Sequence, residues 1–175
     1  ADAYGHGLVP IAKRAVEAGA TWLGVALLEE ALTLRSSGLS TPIIAWLTPI
    51  TDDFGAALRN RIDIGVPSLA HLESIVAAAS ENDVIPRIHL EVDTGMTRGG
   101  ALSEWQSLIH AVADLQRSKK IEVVGIWSHF ARADEPGHPF NEVQLENFQN
   151  RLIEAEDRKS TRLNSSHANI SYAVF

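Results

Sequence analysis

The sequence predicts an α/β fold, a part of a (β/α)8 TIM barrel with about six βα units and a truncated first strand. Three observations carry that expectation. Short β-rich runs alternate with longer amphipathic stretches along the 175 residues, as βα units around a parallel sheet require. Polar, potentially reactive residues follow several different strands, at Tyr4, Trp46, Arg98 and His129. Sites built from many strand ends are a barrel's habit, and no Gly-x-Gly-x-x-Gly opens a helix, although periodicity alone also allows an open doubly wound sheet. Finally, a whole barrel needs about 250 residues, so a chain of this length that starts inside its first strand is a part of one.

The elements follow in order. A strand is expected to end near Ala3, and a helix over 9–18 carries Pro10 in its first turn and stops at Gly19. Trp22 to Ala26 is a strand. Leu28, Ala31, Leu32 and Leu34 stand at helical spacing within 28–37, and Gly38 ends that helix. Pro42 to Trp46 is a buried strand, after which Asp52 and Asp53 suit the N-terminus of a helix over 54–60. Residues 63–66 form a short strand, and Ser68 starts a helix that runs through Ala79. Strands over 87–92 and 121–127 flank a helix over 103–117. A last helix over 141–156 shows Val143, Phe148, Leu152 and Ile153 as its apolar stripe, with Phe148 and Leu152 an i, i+4 pair.

Composition narrows the function classes. With 45% hydrophobic and 21% charged residues the chain can bury a real core. Its net charge of −7 argues against nucleic acid as a partner, and Lys119-Lys120 is too short a basic patch to overturn that. The apolar runs are too short and broken to span a membrane, and the start lacks the order of a signal peptide. Zero Cys excludes disulfides, thiolate metal sites and cysteine nucleophiles, and agrees with a cytoplasmic location. The histidines show no paired helical spacing, so no metal site is expected.

The strand-end motifs form a set. Ala1-Asp2-Ala3-Tyr4-Gly5-His6-Gly7 resembles the segment just after the cofactor lysine of alanine racemases, and Gly24-Val25-Ala26 with Glu29-Glu30-Ala31 resembles that family's second strand and helix. Asp93-Thr94-Gly95-Met96-Thr97-Arg98-Gly99 resembles its fifth-strand loop. Ser128-His129-Phe130-Ala131 with Ala133-Asp134-Glu135 resembles the end of its sixth strand. In this order and at these separations, the set is far more specific than any one motif.

The resemblance implies a fold-type III enzyme that uses pyridoxal 5'-phosphate. It implies that the Tyr4 hydroxyl donates to the cofactor phosphate, that Arg98 hydrogen-bonds the ring's phenolic oxygen, that His129 lies against the ring, and that Trp46 walls it. A loop tyrosine, a surface arginine, a core histidine and a packed tryptophan are the corresponding bland readings. His6 is either an exposed turn residue or a helper behind Tyr4. Glu91 departs from the family, many of whose members have there a lysine carrying a carbamate that orients the arginine; a carboxylate at Glu91 brings the same charge on a shorter stem and would pair with Arg98 directly. The pair Asp134-Glu135 reads as solvated.

The resemblance further implies interconversion of L- and D-alanine by two bases, supplying D-alanine for peptidoglycan. One base is a Schiff-base lysine, expected immediately before Ala1, so no catalytic residue is present. The other is a tyrosine from a C-terminal β-domain of the partner subunit of a homodimer. The chain as given is therefore expected to be inactive, and serine, lysine or a broader range of amino acids remain alternative substrates. Two other classes stay open, a single-domain pyridoxal phosphate carrier and a metal-dependent hydrolase using His129 and Asp93.

Residues 1–156 read as the partial barrel domain. From Asp157 to Phe175 the composition shifts to Ser, Thr, Asn and Arg and matches the translation of a common sequencing-adapter oligonucleotide, so that a spurious or disordered tail is expected there. That stretch holds three of the 15 basic and one of the 22 acidic residues, which leaves the body at −9. A partial barrel leaves open strand edges and uncovered apolar helix faces. Residues 1–156 expressed alone should therefore lack a sharp two-state unfolding transition, as denaturant titration followed by circular dichroism would show.

Overall fold

In the computed structural model, which describes residues 2–158, five strands and six helices alternate. Helix α1 spans Leu8–Glu17, strand β1 Leu23–Val25, α2 Leu28–Ser36, β2 Ile43–Ala45, α3 Phe54–Arg59 and β3 Ile62–Val66. Helix α4 spans Leu69–Asn82, β4 Arg87–Glu91, α5 Trp105–Arg117, β5 Glu122–Trp127 and α6 Pro139–Arg158. The strands pair in parallel in the order β1-β2-β3-β4-β5, each neighbour in sequence a neighbour in space. That is the curl of a barrel segment, and it excludes the reversed strand order of a doubly wound sheet.

The expected strand ending near Ala3 is absent among the described residues. Asp2, Ala3 and Tyr4 all take positive φ, between 50° and 57°, and form a left-handed turn closed by His6 N–H to Ala3 O and Gly7 N–H to Asp2 O. Backbone in that region cannot join a parallel ladder. The turn is tied elsewhere: Glu30 accepts from Asp2 N at 2.6 Å and from Ala26 and Leu27 N at 3.2 Å, so one carboxylate both caps the start of α2 and anchors the turn.

The remaining elements follow from local chemistry. Asp53 caps α3 by accepting from Ala56 N at 2.9 Å, and Ser68 caps α4 by accepting from His71 N at 3.2 Å. Along the strands, Ile43, Ala45, Ile62, Ile64, Val66, Ile88, Leu90 and Ile126 alternate onto one face and are buried with Leu34, Leu72, Ile75 and Leu108 of the helices. In α6 the expected apolar stripe is shifted. Phe148 is buried and Leu152 half-buried, but Val143 and Ile153 are exposed, and the face turned inward carries Gln144 and Ala155. The helix also continues through Asp157 and Arg158; the rest of the adapter-like tail lies outside the described residues.

The opposite parity of each strand lines the concave face. Asp63 on β3 meets Arg87 Nε at 3.0 Å and His89 Nε2 at 3.1 Å, and Arg87 Nη1 reaches Glu122 of β5 at 2.8 Å. Trp22 meets the His89 ring edge-on with centroids 5.4 Å apart. One residue pair higher along the strands, Trp46 and Trp127 stand 6.1 Å apart. Trp46 lies over Gly24, where a Cβ would come within 2.1 Å of Cζ3. In the full-length protein Gly24→Ala should therefore displace the indole and cost about 1–3 kcal/mol, measurable as a lower urea midpoint together with a changed tryptophan emission.

Candidate functional site at the carboxyl ends of the strands

Four of the sequence-derived residues lie at the C-terminal edge of the sheet: Trp46 just after β2, Glu91 as the last residue of β4, Arg98 in the loop that follows it, and His129 just after β5. The Arg98 loop is folded back on its own strand. Val92 bridges Ala101, Ala101 N–H donates to Glu91 O at 2.9 Å, and Asp93 N–H to Ala101 O at 3.1 Å. Asp93 Oδ1 accepts from Gly95 N at 2.8 Å and Thr97 N at 3.1 Å, fixing the turn from inside. Gly100 has φ +93°, and a Cβ there would stand 2.7 Å from Asp93 N, so only glycine lets the loop close this tightly.

Inside that fold the Glu91 carboxyl is buried. Burial pushes it up to about 7; the Arg98 guanidinium pulls it back and the Asp93 carboxylate adds to the rise. Arg98 is exposed and donates no hydrogen bond among the described residues. It acts on Glu91 through space, without the direct ion pair that the sequence suggested. Burial and the same guanidinium lower the pKa of His129, which keeps its imidazole neutral near pH 7. Arg98 thus biases both neighbours, and the three form one electrostatic unit.

Tyr4 stands apart from this unit. Its side chain is 82% exposed and makes no hydrogen bond, ion pair or ring contact among the described residues. His6 is exposed as well, with no side-chain hydrogen bond to Tyr4. Asp93 is engaged with backbone N–H groups, and among the described residues no three His, Asp or Glu side chains converge as a metal cage would need. Among the described residues no helix is long and apolar enough to cross a membrane.

Sequence reasoning missed the residues that hold these loops together. Gln144 of α6 is fully buried. It donates to Thr94 Oγ1 at 3.0 Å and to His129 O at 3.1 Å, and accepts from Ala131 N at 2.8 Å. Asn147, one turn on, donates to Thr94 O at 2.9 Å, and the Thr94 and Ser128 hydroxyls share a hydrogen bond of 2.7 Å. The signal was present in the sequence as the spacing Phe140-Gln144-Phe148, a helical face with an amide at its centre.

Polar groups gathered at the carboxyl ends of successive parallel strands are the arrangement of the barrel-fold class, where binding and active sites sit. Comparison with known proteins shows the family. The family model described as "Alanine racemase, N-terminal domain" matches residues 1–175, and the chain belongs to that family. The alanine racemase of Salinispora tropica is 48% identical over 145 residues, covering 82% of this chain and 39% of its own length. That of Frankia casuarinae is 44% identical over 153 residues, covering 87% and 40%. The crystal structure of alanine racemase from Streptomyces lavendulae superimposes with a TM-score of 0.87 at 42% identity, covering 90% of this chain and 41% of that one. The chain thus spans about two fifths of the length of the relatives it matches.

The raised Glu91 pKa has a consequence for stability. Unfolded, the carboxyl ionises near pH 4.3; folded, it holds its proton to about 7. Between those values the native state binds more protons, so this group makes stability fall as pH rises and adds nothing further above about 7. In the full-length protein Glu91→Gln should flatten that slope, removing a loss on the order of 2–3 kcal/mol between pH 4.5 and 7.5, as denaturant melts at a series of pH values would measure.

Proposed function

We propose that this chain is the cofactor-binding barrel portion of an alanine racemase, acting with pyridoxal 5'-phosphate on L- and D-alanine. The observation that carries the reading is the electrostatic unit of Arg98, Glu91 and His129 beside the Trp46–Trp127 pair, at the strand ends of a chain belonging to the alanine racemase family. The residues present fit the group. Among the described residues the exposed guanidinium has its donors unused, which suits an anionic phenolic oxygen, and the buried Trp127 Nε1–H has no partner, which marks a polar pocket not satisfied from within.

When bound, the cofactor draws electron density from the substrate and makes its Cα proton acidic. The Arg98 guanidinium, a planar cation with forked donors, holds a negative oxygen in place. Glu91, held between the pull of burial and that of Arg98, orients the guanidinium through space and carries its charge only as pH passes about 7. His129 stays neutral beside Arg98, offering a flat apolar face rather than a second cation. Trp46 and Trp127 exclude water from one side. Tyr4 supplies a hydroxyl for the phosphate once its turn is packed against the rest of the site.

Proton transfer at Cα requires a lysine amine and a tyrosine. The described lysines lie elsewhere, Lys13 on α1 and Lys119 and Lys120 in the turn leading to β5, at the opposite end of that strand. A Schiff-base lysine and a tyrosine of the partner subunit belong to the proposed intact homodimer, a cytoplasmic enzyme that makes D-alanine for peptidoglycan. Residues 1–175 alone should not racemise alanine, as a D-amino-acid oxidase-coupled assay would show. In the full-length protein, Arg98→Ala should weaken pyridoxal phosphate binding roughly 10- to 100-fold, as expected for losing a charge-assisted hydrogen bond. Fluorescence titration checks this, and unchanged affinity would remove Arg98 from the site.

A further inference from the structure

The loops that carry Arg98 and His129 share no backbone hydrogen bonds with one another beyond the end of the β4–β5 ladder, where Val92 N–H donates to Trp127 O. Past that point each would be free to move independently. Instead, side chains tie them. We propose that Gln144, supported by Asn147, is a positioning residue that locks the Arg98 loop and the His129 loop into a single arrangement and so sets the spacing between the two groups that face the cofactor.

The argument starts from cost. A buried primary amide without partners is destabilising, so an amide fully enclosed within a helix–loop contact persists where its bonds are made. All three Gln144 hydrogen bonds leave its own helix. Two go to the His129 loop, one of them to the carbonyl of His129 itself, and the third goes to Thr94. Thr94 is tied again by Asn147 at its carbonyl and by Ser128 at its hydroxyl. Next to Thr94, Asp93 holds the N–H groups of Gly95 and Thr97, and Arg98 follows immediately. A continuous polar path therefore runs from His129 through one glutamine to the turn that presents Arg98.

The amide is the one side chain of this length that can both donate and accept here. A carboxylate of the same shape could accept from Ala131 N–H but would place an acceptor against His129 O and could give nothing to Thr94. A methionine would fill the space and make no bond. Neither change touches the cofactor directly, so any effect on it is transmitted through the loops.

This inference rests on the reading of the site given above, and the experiment separates the two. In the full-length protein without cofactor, amide hydrogen exchange is followed in 94–100 and 128–132 for Gln144→Glu, Gln144→Met and Asn147→Leu, with Glu146→Gln as an exposed control on the same helix. Pyridoxal phosphate affinity and, where alanine turns over, the pH profile of kcat are then measured. Both Gln144 variants should speed exchange in both loops and Asn147→Leu in the first alone. By analogy with residues that orient metal ligands, cofactor affinity should fall roughly tenfold or more, and the ionisation of His129 should move back toward its ordinary value. If Gln144→Met does not fold, the other two variants decide. Exchange unchanged in both loops, or lowered global stability with cofactor affinity intact, overturns the proposal. Wild-type protein that binds no pyridoxal phosphate sinks the functional reading instead, while the exchange data still judge the clamp.

Discussion

Everything in this chain depends on the strict alternation of side chains across a parallel, in-register sheet. Because neighbouring strands run the same way, Gly24 stands beside Ile44, Ile44 beside Asp63, and Arg87 beside Glu122, so chemistry placed on one strand meets chemistry at the same height on the next. One parity is given mainly to isoleucine, leucine and valine, which bury against the helices. The other carries Asp63, Arg87, His89, Glu91 and Trp127, with Gly24, Ile44 and Gly65 among them. A single-residue slip of β4 would exchange Ile88 and Leu90 for His89 and Glu91 on the helix side, so the register is fixed by the energetic difference between these two sets. The bulge between Ile88 and His89 in the pairing with β5 shows that the sheet absorbs an irregularity there without exchanging the faces.

The loops beyond the strands cannot use this ladder, and polar side chains replace it. Asp93 closes the turn before Arg98, Glu30 anchors the turn that carries Tyr4, and Gln144 spans two loops at once. Each is a case of a side chain satisfying backbone groups that secondary structure has left over. The consequence is a division of labour. The strands decide which residues face the concavity, whereas a few buried acceptors and donors decide where the loop residues sit.

That division explains what could be read from the sequence. Five of the six expected strands and all of the helices were legible, because Val-Ile-rich runs and helical stripes report directly on the face each element buries, and caps such as Asp53 and Ser68 mark their own positions. The strand near Ala3 was misread: three residues carry no periodicity, and a left-handed turn leaves no compositional trace when it is built from Asp, Ala and Tyr. In α6, Val143 and Ile153 looked like core because they are apolar, yet burial follows the face that bears Gln144, whose partners lie 13 to 50 residues away and cannot be inferred from local pattern. Arg98, His129 and Trp46 were found as members of motifs at strand ends. Their electrostatic coupling was not, because it depends on distances between loops.

The two layers of the concave face differ in one further respect, and it bears on where a ligand can act. In the lower layer the charges answer one another: Asp63 takes both Arg87 and His89, Arg87 also reaches Glu122, and Trp22 closes over the imidazole. Removing Asp63, the buried member, would leave the His89 imidazole without its acceptor. In the upper layer Trp46 and Trp127 contact one another, but other polar groups stay open. Among the described residues Arg98 gives no hydrogen bond and Trp127 Nε1 has no acceptor, and the Glu91 carboxyl is poised to be either neutral or charged. The contrast is between strand and loop: the lower layer's ions stand on β3, β4 and β5, whereas Arg98 and His129 belong to the loops that follow the strands. Polar groups that satisfy one another at the lower level and stay open at the strand ends put the unsatisfied valences where barrel folds place their binding sites.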